Sequence, residues 1–584
     1  MNKDQYYEVM ALCKDYYEIF NTLYRLNTTN QSELTKIYQD INSILIKTKL
    51  LEPSERLDII STASEYNCRY FKSYWTLYKM IYENDPEKVL SNSFLFNYFA
   101  NKEYELGIDE ELNEYDSKDY ILDVHEENTI FRAIMDDDAK SFETFINSDG
   151  FNINQKLKSK FYPYNIQNDN QYSLLELCCF HGSVNCFKIL RSKFQSEITY
   201  SCLQFSFLGR NNEIISECLK CQTPDKYCME YAIISHNIEY IKFLMNEYKI
   251  EIDERECRYN NNLQALLLCI EQIDDINISF IYSLEIDFPP LWEYFLNHDA
   301  DINARDNNGS PALFRQVMYN RKKAVEFLLI HGADVNIIDK DSSLTSINET
   351  AFGNRFDIAK ILISFGADLN SKDLNGRTAL ITSALYNSFE ISELYVKSGI
   401  DINAKDDSGN TALDWAIYNY SEKLMIFLLD NGADANSKDS RGCTALHYCS
   451  SNGYNEQIEI LLSYGADINS KNNYGESVLH SAAEYEHPKT IELLISHGAE
   501  VTATDCNGKT ALHVAAEHGC VENAEILILH GIDINAKDYN VKTSLHKATE
   551  KDRVQMIRFL ISHGTDINSK DNNGDTALHY AAAK

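Results

Sequence analysis

The tripeptide Gly-Ala-Asp, or a near copy, stands at 332–334, 366–368, 399–401, 432–434, 465–467, 498–500, 531–533 and 564–566. The first step is 34 residues and every later one is 33. A second echo runs in phase with it: Thr378-Ala-Leu, Thr411-Ala-Leu, Thr444-Ala-Leu-His, Thr510-Ala-Leu-His and Thr576-Ala-Leu-His. A fixed period of this length means stacked copies of one small supersecondary unit. Such stacks serve mostly as binding surfaces and seldom as enzymes.

The copy from Asp439 to Lys471 gives the unit. Thr444 is a good N-cap, and Ala445-Leu-His-Tyr-Cys449 opens a short helix behind it. Gly453 ends that helix in the left-handed region. Ile458, Ile460, Leu461 and Leu462 form the apolar face of a second helix, which Gly465 stops. Asp467 to Gly475 is turn chemistry, rich in Asn and Gly. The unit is therefore helix, short loop, helix, long turn, and its apolar face is buried only when copies stack.

This pattern resembles the ankyrin repeat. The matching elements are Asp-x-x-Gly-x-Thr-Ala-Leu-His-x-Ala-Ala and Leu-Leu-x-x-Gly-Ala-Asp-Ile-Asn-Ala-Lys. They cover Asp306 to Lys584, with copies starting at Asp306, Asp339, Asp373, Asp406, Asp439, Asn472, Asp505, Asp538 and Asp571. The second copy is degenerate, with Asp341-Ser-Ser-Leu-Thr-Ser in place of the usual turn and cap. The last stops after its first helix at Ala583-Lys584, so either that helix caps the stack or the chain is an incomplete product. Leu291 to Ala304 reads as the end of an earlier copy. Fragments at 130–146, 173–190 and 227–245 resemble divergent repeats, which places the start of the stack near residue 120.

The first hundred residues read as helices. Tyr6, Met10, Cys13, Tyr17, Phe20 and Tyr24 fall on one stripe of a helix over 4–26. Asn30-Gln-Ser-Glu33 resembles the cap of a second, with Leu34, Ile37, Ile41 and Ile44 on its face. Pro53 suits the first turn of a third. The fourth, 67–82, carries Tyr70, Phe71, Tyr74, Trp75 and Tyr78, for which core is the preferred reading over a partner groove. Asn67 to Trp75 and the aromatic spacing resemble the uncharacterised helical domain that precedes ankyrin arrays in large protein families of parasitic protists. The expected architecture is all-α: a helical domain over 1–100, an acidic stretch with divergent ankyrin-like repeats over 101–290, and a regular ankyrin solenoid over 291–584.

Residues 101–150 hold 16 Asp or Glu against 4 Lys or Arg, densest at Asp109-Glu-Glu111 and Asp136-Asp-Asp138. A solvated linker and repeat surface is the preferred reading, over a hinge or a bait for a basic partner. The net charge of −34 is poor for binding a phosphate backbone, so no nucleic-acid role is expected. The 15 cysteines are scattered, the N-terminus lacks a secretory pattern, and no apolar run approaches a membrane span. We expect a soluble monomer with free thiols in the cytoplasm or nucleus.

Two constellations imitate metal sites. His447, His480, His513, His546 and His579 recur with the repeat, but stacked copies hold equivalent residues roughly 10 Å apart, whereas zinc takes its ligands at about 2 Å. The resemblance implies instead that each bonds to the cap of its own repeat. Cys218-Leu-Lys-Cys221, near Cys228 and His236, lacks the second pair of a structural zinc site. Cys218 shares an apolar helical face with Ile214 and Ile215 and reads as core. Phosphate-loop, dinucleotide, metalloprotease and nucleophile-elbow motifs are absent where sought. No catalytic residue, metal, cofactor or small-molecule substrate is expected.

The resemblance implies a concave face of turns and first helices. Its copy-by-copy mapping puts Met318 and Tyr319, Leu385 and Tyr386, Tyr418 and Asn419, Ser451 and Asn452, Glu484 and Tyr485, and Glu517 and His518 on that face. The turn tips add Leu374, Asn375, Arg377, Asp407, Arg441, Tyr474 and Tyr539. The candidate partner-binding set is Tyr319, Arg377, Leu385, Tyr386, Tyr418, Asn419, Arg441, Asn452, Tyr474, Tyr485 and His518. The tyrosines are either binding hot spots or the background of a chain with 38 of them. Trp415 reads as core. The function expected is a scaffold or adaptor for a protein partner. A substrate-recruiting subunit of a modifying complex and a regulatory inhibitor of an enzyme are the alternatives.

Overall fold

The computed structural model describes residues 3–48, 50–51, 55–84, 90–107, 120–163 and 171–582. It divides into two compact units, Met1–Asp306 and Asn307–Lys584. Pro53, Asp109-Glu-Glu111 and Ala583-Lys584 lie outside the described residues.

The second unit repeats one motif. Ala312–Met318 pairs with Lys322–Ile330, Ser346–Phe352 with Phe356–Ser364, and so on to Ser544–Glu550 with Val554–Ser562. A last first helix follows at Ala577–Ala582. The paired Ala and Leu of the Thr-Ala-Leu elements are buried, as Ala412, Leu413, Ala445 and Leu446 show, except in the last copy, where Leu578 is exposed. Facing them are second-helix residues such as Leu424, Leu428, Ile458 and Leu461. Each such Leu or Ile contributes roughly 1.5–3 kcal/mol, but only where the next copy covers it.

The long turns are closed by their first residue. Asp439 Oδ1 accepts from the N–H groups of Arg441 (2.9 Å) and Cys443 (2.7 Å). Asp406 does the same for Ser408 and Asn410, and Asn472 for Tyr474 and Glu476. Successive turn tips then pair through backbone: Ser440 donates to the Ser408 carbonyl, Asn473 to Arg441 and Cys506 to Tyr474, each at 2.9 Å. A lysine rung runs alongside, with Lys405 Nζ on the Lys438 carbonyl (2.8 Å) and Lys438 Nζ on that of Lys471 (2.7 Å). The single 34-residue step comes from one extra residue between Asp339 and Thr345, where Ser343 takes φ +54°.

The third helical position couples local capping to stacking. His447 Nδ1 accepts from the Thr444 N–H (3.2 Å) and hydroxyl (2.9 Å). That leaves the proton on Nε2, which donates to the Glu476 carbonyl of the next copy (3.1 Å). His480, His513 and His546 repeat the arrangement onto Lys509, Lys542 and Asp575. Burial lowers the pKa of His447, His480 and His513, keeping them neutral. The expected bond to the cap is present, and the link to the next repeat is an addition the sequence reading lacked. Asn348 fills the position in the degenerate copy: its Oδ1 accepts from Thr345 while its amide donates to the Ser371 carbonyl (3.2 Å).

The first unit has the same helix-pair layout in divergent sequence. Pairs run from Ile130–Met135 with Ala139–Ile146 to Ile276–Ser283 with Pro289–Asn297. Asp136 to Asp138 serve this packing. Asp138 caps its own helix through Lys140 and Ser141, and Asp137 accepts from the N–H groups of Asn185 and Cys186. Cys218 is buried, as expected of a core residue, and Cys221 is exposed. The His236 ring is spent on the Asn21 amide (2.9 Å) and the Asn260 carbonyl (2.8 Å).

The first hundred residues are part of this unit. The helix expected over 4–26 is two, Lys3–Leu12 and Lys14–Tyr24, broken at Cys13. The break re-aims the apolar face: Val9, Cys13, Tyr16, Phe20 and Tyr24 are buried, while Tyr6, Met10 and Tyr17 are half-buried. Asn30 caps Gln31–Ile41 through Ser32. Phe71, Tyr74, Trp75 and Tyr78 are core, and Tyr70 is half-buried. These helices lie on the loop ends of the divergent pairs. Arg69 donates to the His181 carbonyl (3.0 Å), Arg210 to that of Tyr24 (2.7 Å), and the Tyr24 ring stacks on His236 at 4.2 Å.

One position breaks the turn rule. Gly409 takes φ +81°, and a Cβ there would stand 2.6 Å from the Ser440 nitrogen. Val541 occupies the equivalent place with φ +59°, where a β-branched residue is strained by about 1–2 kcal/mol. Val541→Gly is expected to stabilise the second unit by about 1 kcal/mol in denaturant unfolding. Val541→Ala, which keeps a Cβ, is expected to recover less than half of that. Equal gains from both would mean that the strain lies elsewhere.

Candidate functional site

Tyrosines from three consecutive copies converge on one side of the second unit. They line a groove of about 720 Å³ built from turns and first helices, spanning residues 410–487. Its aromatic wall is continuous. Tyr418 meets Tyr448 at 4.1 Å, Tyr448 meets Tyr454 at 5.8 Å, and Tyr454 meets Tyr420 at 4.3 Å, while Trp415, outside the lining, backs Tyr418 at 5.4 Å. Edge-to-face and tilted contacts at these distances hold rings in fixed orientations. Tyr474 and Tyr485 also line the groove, 61% and 54% exposed.

The stack sets these positions. Tyr418 ends the helix Ala412–Tyr418, and Tyr448 sits inside Ala445–Asn452. Tyr420 takes φ +54° in the loop between paired helices, and Tyr454 begins the next helix as its N-cap. A hydrogen bond to Tyr454 pushes the Tyr420 hydroxyl pKa up to about 12. Burial, then the negative charge of Asp414, raises that of Tyr418. The rings are neutral phenols at physiological pH.

Carboxylates stand among the rings. Asp414, Asp439, Glu476 and Glu484 line the groove, against Arg441 as the one Lys or Arg among the described lining residues. Arg441 Nε is held by Asp439 at 3.2 Å. Glu476 accepts from the Asn472 amide at 2.8 Å.

Of the candidate residues, the structure brings together Tyr418, Arg441, Asn452, Tyr474 and Tyr485. Tyr319, Arg377, Leu385, Tyr386, Asn419 and His518 are not among the groove residues. Tyr319 is half-buried with the Arg315 guanidinium over its ring at 5.4 Å. Asn419 works as an inter-repeat strut, its amide donating to the carbonyls of Ala384 (3.0 Å) and Leu385 (2.7 Å). Leu385 is half-buried, Tyr386 packs beside Phe352 at 5.2 Å, and His518 is exposed on a later copy. Trp415 is not core: it is half-buried, gives its indole N–H to Asp406 (3.1 Å) and carries Arg377 over its ring at 5.3 Å. Tyr420, Tyr448 and Tyr454 were missed. Their close spacing to Tyr418 was a visible signal, but a mapping confined to helix ends and turn tips passes over them.

Asp414 sits where the histidines do, and it does half their work. Its Oδ2 accepts from the Thr411 N–H and hydroxyl, both at 2.8 Å. A carboxylate has no proton to give the next copy. Burial first, then Asp439, pushes its pKa up to about 6. The native state therefore holds this proton more tightly than the unfolded chain, whose aspartates titrate near about 3.9. The stabilisation is complete below that value and is lost as pH rises through about 6, a cost of roughly 2–3 kcal/mol at neutral pH. Asp414→Asn is expected to recover most of it at pH above 7 and nothing near pH 4. An effect of equal size at both pH values in denaturant unfolding would remove this account.

Family models match residues 347–439, 407–472 and 446–538 to ankyrin repeats (3 copies), and 545–584 to ankyrin repeats (many copies). Residues 194–269 match a domain of unknown function, DUF3447. That segment lies within the divergent pairs and not in the first hundred residues. No curated protein matches the chain. Among the described residues no helix is long and apolar enough to cross a membrane. Ankyrin repeats as a class are protein-interaction modules and typically not catalytic. With the turns, caps and helix pairs above, these matches identify the chain as an ankyrin-repeat protein that carries a domain of unknown function ahead of its matched repeats.

Proposed function

We propose that this chain is a non-catalytic adaptor whose second unit binds a protein partner in the groove between residues 410 and 487. The observation that carries this is the continuous tyrosine wall. Tyrosine offers a large rigid ring and a polar tip at small entropic cost, which is why it dominates binding hot spots. Tyr420, Tyr474 and Tyr485 leave more than half of their surface in water, 58%, 61% and 54%. Several of the groove's hydrogen-bonding groups are spent on the fold, His447 on its own cap and on the next copy, and Asn472 on its own turn. The acidic character of the groove and of the whole chain favours a protein over a nucleic acid.

The first unit supports the reading by internal comparison. The loop position that Tyr420 fills with left-handed backbone is filled there by Arg210 and His236. Both are engaged by the helix Lys14–Tyr24. This fold thus uses the same loop position to hold helices in one unit and presents it as an exposed ring in the other.

A photo-crosslinking residue at Tyr474 in the full chain, expressed in its own cells, tests the site. A protein adduct is expected there and not from the same residue at Leu529, exposed on a second helix. Adducts of the same size from both positions, or from Leu529 alone, would place partner binding elsewhere.

A further inference from the structure

We propose that the segment bound in the tyrosine groove is basic, presenting Arg or Lys side chains to the ring faces and to the carboxylates between them. The proposal rests on the groove being the partner-binding face. Its ground is charge complementarity within one cavity. Asp414, Asp439, Glu476 and Glu484 stand among six tyrosines, and Arg441, the one Lys or Arg among the described lining residues, is already held by Asp439. The Glu484 carboxylate makes no hydrogen bond or ion pair among the described residues, its backbone carbonyl alone accepting from Cys520 Sγ at 3.5 Å, so its charge is available to a ligand. An aromatic face attracts a cation through its quadrupole, and guanidinium stacks there better than ammonium. The chain already holds such a pair next to Tyr418, Arg377 over Trp415 at 5.3 Å.

An acidic or purely apolar segment fits worse. The first would meet like charge, and the second would bury carboxylates without a counter-charge. The groove crosses the copies that start at Asp406, Asp439 and Asn472. At roughly 10 Å per copy and about 3.3 Å per extended residue, a segment of roughly ten residues spans it.

The test uses the full chain and fluorescein-labelled peptides of roughly ten residues, the length that spans the groove. Arg, Lys, citrulline or Glu alternates with Gly and Ser, and anisotropy is read near physiological salt. Arg is expected to bind most tightly, Lys more weakly, and the neutral citrulline isostere at least tenfold more weakly than Arg. A Tyr418→Ala/Tyr448→Ala/Tyr485→Ala variant, folded by circular dichroism, is expected to lose at least tenfold for Arg with no charge changed. Glu484→Gln is expected to weaken Arg severalfold and to leave citrulline unmoved. Glu492→Gln/Glu525→Gln, which removes charge from second helices, is expected to leave Arg binding unmoved.

Equal losses in the groove and second-helix variants would overturn the proposal, because attraction to an acidic chain would then suffice. Binding of citrulline or Glu peptides as tight as Arg would overturn it as well. Absence of peptide binding beside a specific adduct at Tyr474 would overturn this proposal alone and leave the groove as the partner face. Absence of both would overturn both.

Discussion

Every copy in the second unit leaves polar groups that only its neighbour can satisfy, and this constraint organises the rest. A turn-tip N–H such as that of Ser440 finds its acceptor 32 residues earlier, at the Ser408 carbonyl. Lys438 Nζ reaches a carbonyl 33 residues ahead, and His447 Nε2 one 29 residues ahead. Buried backbone groups must pair, so these bonds fix the register of each copy against the next while the Ala and Leu positions supply the burial. The histidine joins the two scales. It can accept from its own cap only by presenting the Nε2 proton to the next turn, so a well-capped helix is also a well-stacked one. Asn348 meets the same demand with a different side chain, an amide having one acceptor and one donor. Asp414 does not, and its raised pKa is the electrostatic trace of that mismatch.

Rigidity follows from this, and so does the groove. Several groove residues are tied directly to the ladder. Tyr474 gives its carbonyl to Cys506, Arg441 gives its own to Asn473, and Tyr448 lies in a helix capped by Thr444 and His447. Rings held this way lose little further freedom when a partner covers them, so more of the contact energy appears as affinity.

Legibility followed the same division. The period, the turns, the caps and the Ala-Leu core were readable because they recur in residue type, and the demands above are why they recur. Groove residues answer to no such demand. Tyr420 replaces the glycine or asparagine found at that loop position in other copies, Gly453 and Asn387 among them, and Tyr448 follows a framework histidine without being framework itself. Sequence could place Tyr418 and Tyr474 on the side where the groove lies but could not tell Asn419, turned back onto the Ala384 and Leu385 carbonyls, from a residue facing solvent. Trp415 was misplaced because a large ring was assumed to seek the core, whereas its N–H finds a partner in Asp406 only at the rim. In the first unit the layout survives and the residue types do not. Arg210 and His236 occupy left-handed positions that glycine or asparagine marks elsewhere, so the stack there was visible only in fragments.

Those two residues explain why a strained, unlikely residue stands at the loop position. A non-glycine there costs about 1 kcal/mol or more, which is recovered only if the side chain does something a glycine cannot. Arg210 recovers it by donating to the Tyr24 carbonyl at 2.7 Å, and His236 by stacking on the Tyr24 ring and bonding Asn21 and Asn260. Each binds a helix that would otherwise lack that contact. Tyr420 bears the same backbone cost with most of its ring in water, and its one intramolecular return is the contact with Tyr454 at 4.3 Å. In the first unit the same strain is offset by side chains that hold a helix, and that contrast is what points to the exposed Tyr420 ring as part of the proposed partner surface.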